Sequence, residues 1–285
     1  WRNFLLFCFG LFHSSIWEGD VLVVYAICAF LLIIFPDVKK PILIFLAIVF
    51  LLVSFIVITN FFSSLYDANG NLISQEEWVL LASEGGELSY GKYWFPNSES
   101  WGNLISIWWY ISAFLRALTL MIFGILLYKL DIIQGKKDIA FYKKISIYGF
   151  SIGLPLSISS IYLLISSGFD PSVVFISNIF NTLSVIPMVL GYTGLLTILN
   201  LKLRDSITTK LQACGKMAFT NYITQTIFGM FIIGAFGLDT FSRSELILFV
   251  FIIWTIQITW SKPILERFNY GPLEWFWRKL TYLFV

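Results

Sequence analysis

Charge is scarce in this chain. Only 13% of its 285 residues are Asp, Glu, Lys or Arg, whereas 58% are hydrophobic and 19% are aromatic. Soluble domains carry about a quarter of charged residues, so the composition excludes an ordinary soluble domain. The mean hydropathy is +0.81, and several apolar runs approach the roughly 20 residues that a bilayer core requires. The sequence therefore predicts a polytopic protein whose main partner is the lipid bilayer.

Histidine, cysteine and several catalytic motifs are also rare or absent. The three cysteines, Cys8, Cys28 and Cys214, lie in or beside apolar segments, without the spacing of a metal site or a disulfide framework. The chain has no Walker loop, no GxSxG and no HExxH. These absences weigh against an ATP-driven pump, a serine hydrolase and a zinc protease. No metal is expected, and a net charge of +2 without a dense basic patch gives no reason to expect a nucleic acid partner.

The chain does contain a series of apolar runs. Backbone N–H and C=O groups in hydrocarbon must be paired within their own segment, so these runs predict helices. We expect an all-α membrane fold of about eight spanning helices plus a C-terminal interfacial helix, in one domain over residues 1–285. Gly149 and Gly153 form a small-xxx-small pair that favours close helix packing. The predicted spans are 2–17, 21–35, 42–62, 104–128, 145–167, 172–201, 217–236 and 246–260.

The basic residues predict the orientation of the chain. The polar stretches before, between and after the predicted spans lie by turns on one side of the membrane and on the other. Sixteen of the nineteen Lys and Arg residues lie in the first, third, fifth, seventh and ninth of these stretches, and the stretches on the opposite side contain only Lys92 and Arg243. By the positive-inside rule, both ends of the chain are expected on the cytoplasmic side of the membrane. Glu18 and Asp20 are then expected at the outer face.

Two segments outside the spans have patterns of their own. The outer loop over residues 63–103 contains a capping box, Ser74 with Glu77, and predicts either a lid on the membrane surface or a solvated connector. The tail over residues 271–285 predicts an amphipathic helix in the cytoplasmic headgroup plane. Within that helix Glu274 and Arg278 are four residues apart and can pair.

Arg116 lies near the middle of a predicted span. A central Arg costs about 2.5 to 3.5 kcal/mol on insertion scales, so it normally faces a partner or a cavity. One interpretation is structural, with an Asn, a Tyr or a backbone carbonyl as partner. The other is that Arg116 binds an anionic ligand, because a guanidinium suits phosphate or carboxylate.

His13 is the only histidine of the chain. Asp20 follows seven residues later across a Glu-Gly hinge, so the two side chains can meet. A carboxylate that binds one ring nitrogen leaves the other as a base, which predicts a catalytic pair. The alternative is a hydrogen-bonded interfacial histidine without a catalytic role.

A second polar set is expected toward the cytoplasm. Asn221 and Gln225 are four residues apart and share a helix face, Tyr222 adjoins them, and Gln257 comes from the last span. Such groups often serve only to join helices. The other interpretation is that they line a pocket open to the cytoplasm and bind substrate there.

Three stretches carry a resemblance to a known family. They are "GLFHSSIWEGDVLVVYA" near the start, "GKMAFTNYITQT" at Gly215, and the long "RFNYGPLEWFWRKLTY" at Arg267. The chain resembles the YeiB-like family of bacterial membrane proteins, a domain of unknown function. Lys216, Phe219 and Val21 depart mildly from its pattern. The resemblance also implies about three further spanning segments ahead of Trp1.

The YeiB-like family is similar, more remotely, to transmembrane acyltransferases such as sugar O-acyltransferases and heparan glucosaminide N-acetyltransferase. That likeness implies a transferase that moves an acyl group from cytoplasmic acyl-coenzyme A to an extracytoplasmic hydroxyl or amine. His13 and Asp20 would be catalytic, while Arg116 and the polar set would bind the donor. The alternatives are a small-anion transporter or channel and a scaffold for other helices. Assembly as a homo-oligomer is left open.

Overall fold

The computed structural model describes residues 1–17, 20–63, 104–168, 171–202, 205–236 and 242–283. These residues form ten helices and no strand. The helices are α1 (Arg2–Ser14), α2 (Leu22–Leu32), α3 (Lys40–Ser63), α4 (Leu104–Lys129), α5 (Ile139–Ser166), α6 (Pro171–Lys202), α7 (Asp205–Lys216), α8 (Ala218–Phe236), α9 (Arg243–Phe268) and α10 (Pro272–Thr281). The predicted all-α fold is confirmed. The predicted lid over residues 63–103 lies almost wholly outside the described residues, and so does Glu18.

Each predicted span contains a helix. Five helices, α3, α4, α5, α6 and α9, are long and apolar enough to cross a bilayer, and α2 is a shorter apolar helix. The count of eight spans therefore stays a prediction.

Several helix boundaries differ from the prediction. Helices α5 and α9 run beyond the predicted boundaries, because helical structure continues into the charged ends that a hydropathy pattern leaves out. Helix α7 was not predicted, although Ile207 and Leu211 have the four-residue spacing of an apolar helix face.

The described residues divide into two compact units. The central unit comprises Phe9–Leu201, and the terminal unit comprises Trp1–Cys8 and Lys202–Val285. In the central unit α4 packs along α3 and α2, around buried Cys28, Leu43 and Ile122. Burial of these apolar side chains holds the three helices together.

Glycines allow α5 and α6 to approach closely in the central unit. A Cβ on Gly149 would lie 2.6 Å from the carbonyl oxygen of Pro187, and one on Gly153 would lie 2.7 Å from Cγ of Met188. Real Cβ atoms do not come so near, so any larger residue would separate the helices. The expected role of this glycine pair in close packing is confirmed. Ser160 and Ser177 add a buried hydrogen bond of 2.9 Å between the same two helices.

In the terminal unit α10 is fastened to the start of α8. The Thr220 backbone N–H donates to Oε1 of Glu274 at 2.9 Å, and the Thr220 hydroxyl donates to Oε2. The Leu273 N–H donates in turn to Oγ1 of Thr220 at 3.1 Å. The expected pair between Glu274 and Arg278 is wrong: the carboxylate is bound by Thr220, and Arg278 lies over the ring of Tyr270, 5.0 Å from its centroid.

The candidate spans keep large apolar side chains on their outer faces. In α3, Phe45 is 64% exposed and Ile56 is 57% exposed, and in α5, Ile158 is 62% exposed. A soluble protein rarely leaves contiguous apolar surface of this kind in water. The exposed faces fit a lipid environment, as expected for a membrane protein.

Candidate functional site

His13 and Asp20 meet at the junction of α1 and α2. His13 is in the last turn of α1, and its Nδ1 lies 2.7 Å from Oδ1 of Asp20. The two residues are buried, at 4% and 8% exposure. The contact expected from their spacing is therefore present, while a catalytic role for it stays a prediction.

Asp20 also fixes the beginning of α2. Its second oxygen, Oδ2, accepts the Val23 N–H at 3.2 Å, and so satisfies one of the unpaired donors of a helix start. Helices α1 and α2 are so close here that a Cβ on Gly10 would lie 2.7 Å from the Val23 nitrogen. One carboxylate thus holds both the imidazole and the first turn of the next helix.

Arg116 is half-buried in α4 and has an amide partner on α6. Its Nη2 donates to Oδ1 of Asn181 at 3.0 Å. Among the described residues Arg116 forms no ion pair. An Asn is one of the partners expected under the structural interpretation. The bond uses one of the five N–H donors of a guanidinium, so it is also compatible with the ligand-binding interpretation.

The second polar set comes together where α8 and α9 pack. Gln225 donates to Gln257 at 2.9 Å, and Gln257 donates to the backbone carbonyl of Asn221 at 2.7 Å. The Asn221 amide oxygen accepts from the indole of Trp260 at 3.0 Å, and its nitrogen lies 3.3 Å from the hydroxyl of Ser261. Asn221 and Gln257 are buried. These bonds join the two helices, as the structural interpretation expects.

The same residues line a cavity of about 500 Å³ in the terminal unit. Asn221, Tyr222, Gln225 and Gln257 all border it, together with apolar residues of α7, α8 and α9. None of its described lining residues has a charged side chain. These residues offer amide groups and apolar surface, and no cation for a phosphate. The hydrogen bonds thus support the structural interpretation of this polar set, and the cavity supports the interpretation that it binds a ligand.

The described residues contain no group of three or more His, Cys, Asp or Glu side chains placed to hold a metal ion. Cys8, Cys28 and Cys214 are free thiols. We assign no metal-binding residue.

Several partners in these sites were not anticipated from the sequence. Asn181 is not among the predicted site residues, although an asparagine inside an apolar span itself indicates a buried polar contact. Trp260 and Ser261 follow Gln257 on the same helix and complete its network. The contact of Thr220 with Glu274 joins residues 54 positions apart, and no local pattern pairs them.

The helices and the buried polar groups define a helical membrane protein. The chain belongs to the family described as protein of unknown function (DUF418), whose pattern matches residues 127–284. It is 26% identical to the uncharacterized protein YxaH of Bacillus subtilis, over 99% of this chain and 71% of that protein. It is 38% identical to the uncharacterized protein YeiB of Escherichia coli, over 27% of this chain and 20% of that protein. No solved structure matches the chain. The expected YeiB-like membership is confirmed.

Proposed function

We propose that this protein is a transmembrane acyltransferase that uses acyl-coenzyme A as donor and a hydroxyl or amine as acceptor. The observation that carries the proposal is the buried hydrogen bond of 2.7 Å between His13 and Asp20. A histidine oriented by a carboxylate is a common arrangement of a general base. The remote resemblance to transmembrane acyltransferases is the reason for proposing acyl transfer as the reaction.

In the proposed step His13 acts through its Nε2 atom. It takes the proton from the acceptor oxygen or nitrogen as that atom forms a bond to the thioester carbonyl carbon. The carbon–sulfur bond breaks, the sulfur leaves with its electron pair, and His13 returns the proton to it. Asp20 keeps the imidazole oriented through both proton transfers.

Arg116 has an electrostatic role in this proposal. Its guanidinium would neutralise charge on the donor or on the oxygen of the thioester carbonyl, and preorganised donors of this kind are among the largest contributions to catalysis. Asn181 would position it through the bond of 3.0 Å. The half-buried position of Arg116 within a candidate span supports the role, because charge so placed is costly.

The cavity beside Asn221 and Gln257 fits one part of the donor. Its amide groups and apolar lining suit an uncharged chain that itself carries amides, such as the arm that ends in the coenzyme A thiol. Its described lining residues include no cation for the phosphates of coenzyme A. In this proposal Tyr222 and Gln225 border the same chain.

The proposal is tested first by equilibrium binding of acetyl-coenzyme A to the full protein in a neutral detergent. Release of free coenzyme A is then measured with ethanolamine and glucosamine as acceptors. We expect saturable binding, and His13→Gln should slow release by at least about a hundredfold, the lower end for loss of a general base. Asp20→Asn should slow it less, because Nε2 remains.

A matched control separates chemistry from folding. Ser54 and Ser112 form a buried contact of 3.3 Å between α3 and α4 in the same unit, and Ser54→Ala should leave the release of coenzyme A unchanged. Absence of acetyl-coenzyme A binding by a folded protein would reject the proposal. So would unchanged turnover in His13→Gln.

A small-anion transporter is the second candidate. The observation that favours it is Arg116, which can serve as the anion site of a carrier. Uptake of a labelled anion into proteoliposomes that is lost in Arg116→Gln, without release of coenzyme A, would establish this function in place of acyl transfer.

A further inference from the structure

A second cavity, of about 420 Å³, lies entirely within the terminal unit. Its lining residues come from the start of α1, the end of α7, the end of α9 and from α10. Three of them are basic, Arg2, Lys216 and Arg278, and one is acidic, Glu274. None belongs to the sites described above.

The three bases carry positive charge, and no carboxylate of the described residues pairs with them. Glu274 is the one acid among the described residues that line the cavity, and its two oxygens are bound by the backbone N–H and the hydroxyl of Thr220. The described lining residues therefore carry more positive than negative charge.

Aromatic rings hold two of the bases in place. The guanidinium of Arg2 lies 4.5 Å from the ring centroid of Trp277. The guanidinium of Arg278 lies 5.0 Å from the centroid of Tyr270 and 5.3 Å from that of Tyr282. A guanidinium held over a ring by its charge keeps its N–H donors for other groups, and these donors suit the oxygens of a phosphate.

We infer that this cavity binds a phosphate group, carried either by an anionic phospholipid or by a soluble nucleotide. Three cations converge on a volume that accommodates a phosphate and its substituent, and the rings offer a surface for a lipid glycerol or a base. Helix α10 has exposed Trp275 and Phe276 beside the cavity, which suits a position at the membrane interface. The inference does not depend on acyl transfer.

The experiment uses the full protein in a neutral detergent and two probes. Native mass spectrometry counts bound phosphatidylglycerol against phosphatidylcholine, and titration calorimetry measures binding of adenosine 3′,5′-bisphosphate. We expect at least one phosphate probe to bind saturably. Arg278→Gln should weaken it by about tenfold, as loss of one hydrogen bond to a charged group implies. Binding of the lipid alone assigns a membrane source, and binding of the nucleotide assigns a soluble one.

Matched controls separate the cavity from general surface charge. Arg267 is in the last turn of α9 but is not among the cavity residues, so Arg267→Gln should change affinity by less than about twofold. If Arg278→Gln does not fold, the comparison is repeated with Lys216→Gln as the cavity variant and Lys279→Gln as its control. Lys279 lies over the ring of Trp275 and is not among the cavity residues. Failure of both probes to saturate, or equal losses in cavity and control variants, would overturn the inference.

Discussion

Thr220 binds both carboxylate oxygens of Glu274, one through its backbone N–H at 2.9 Å and the other through its hydroxyl. Thr220 is in the first turn of α8, and Glu274 is in the first turn of α10. The contact fastens the amphipathic C-terminal helix to the start of a long apolar helix. Thr220 is buried, and among the described residues Glu274 forms no ion pair with the bases of the cavity that it lines.

Thr220→Val should loosen this attachment. The substitution keeps the shape of the side chain and removes the hydroxyl, so the expected cost is about 1.5 to 3 kcal/mol, the usual range for a hydrogen bond to a charged group. Thermal unfolding in detergent, followed by tryptophan fluorescence, measures it. Thr255→Val is the control, because the Thr255 hydroxyl donates to the Phe251 carbonyl of its own helix and has no other partner among the described residues. Equal losses in the two variants would contradict the assignment.

Gly149→Ala should destabilise the packing of α5 on α6. A Cβ there would lie 2.6 Å from the Pro187 carbonyl oxygen, and overpacking typically costs about 1 to 3 kcal/mol. The control is Gly124→Ala in α4, where nothing lies within 4 Å of the new Cβ. That change should stabilise its helix by about 0.5 to 1 kcal/mol. We therefore expect the unfolding temperature to fall in Gly149→Ala and to rise in Gly124→Ala. A higher unfolding temperature in Gly149→Ala would show that the two helices do not approach closely.

Thr119→Val should stabilise the central unit. The Thr119 hydroxyl is buried and has no hydrogen-bond partner among the described residues. Replacing it with a methyl group of similar shape removes that penalty, so a gain of about 1 to 3 kcal/mol is expected. Thr193→Val is the comparison, because the Thr193 hydroxyl donates to Val189 at 2.7 Å. A loss of stability in Thr119→Val would indicate that the hydroxyl has a partner after all.

Asp131 should titrate below the ordinary range of an aspartate. The hydrogen bond of 2.8 Å from Lys136 favours the charged form and lowers the pKa of Asp131. Stability from this pair is present above the unfolded pKa of Asp131 and is lost as the pH falls through its folded pKa. Carbon-13 NMR of labelled aspartate measures the titration. Lys136→Gln should return the pKa toward its ordinary value, whereas Lys262→Gln, in the exposed pair with Glu266, should leave it unchanged.

Acidic pH should therefore weaken the connection between α4 and α5 only in the range below about pH 4, where aspartates ordinarily titrate. The Asp131 side chain is 43% exposed, so solvent screens the pair and the effect on global unfolding is small. A Lys136→Gln variant whose Asp131 titrates as in the native protein would show that the ion pair does not form in solution.

Much of the site could be foreseen from the sequence, and the reason differs from residue to residue. His13 and Asp20 are seven residues apart, so a helix end and a short turn suffice to bring them together. The sequence also predicts that Asn221, Gln225 and Gln257 lie together, because polar side chains in apolar helices form hydrogen bonds with one another. The partner of Arg116 could be described as a type, an Asn among others, but not as Asn181.

The sequence by itself determined the helical membrane fold, because long apolar runs leave no other way to pair the backbone in hydrocarbon. It also determined the meeting of His13 with Asp20, since that contact is local. Only the tertiary structure decided that Arg116 binds Asn181, that Glu274 binds Thr220 rather than Arg278, and that three bases share one cavity. These outcomes depend on how each helix is rotated and placed against its neighbours, and packing across the whole unit sets that geometry.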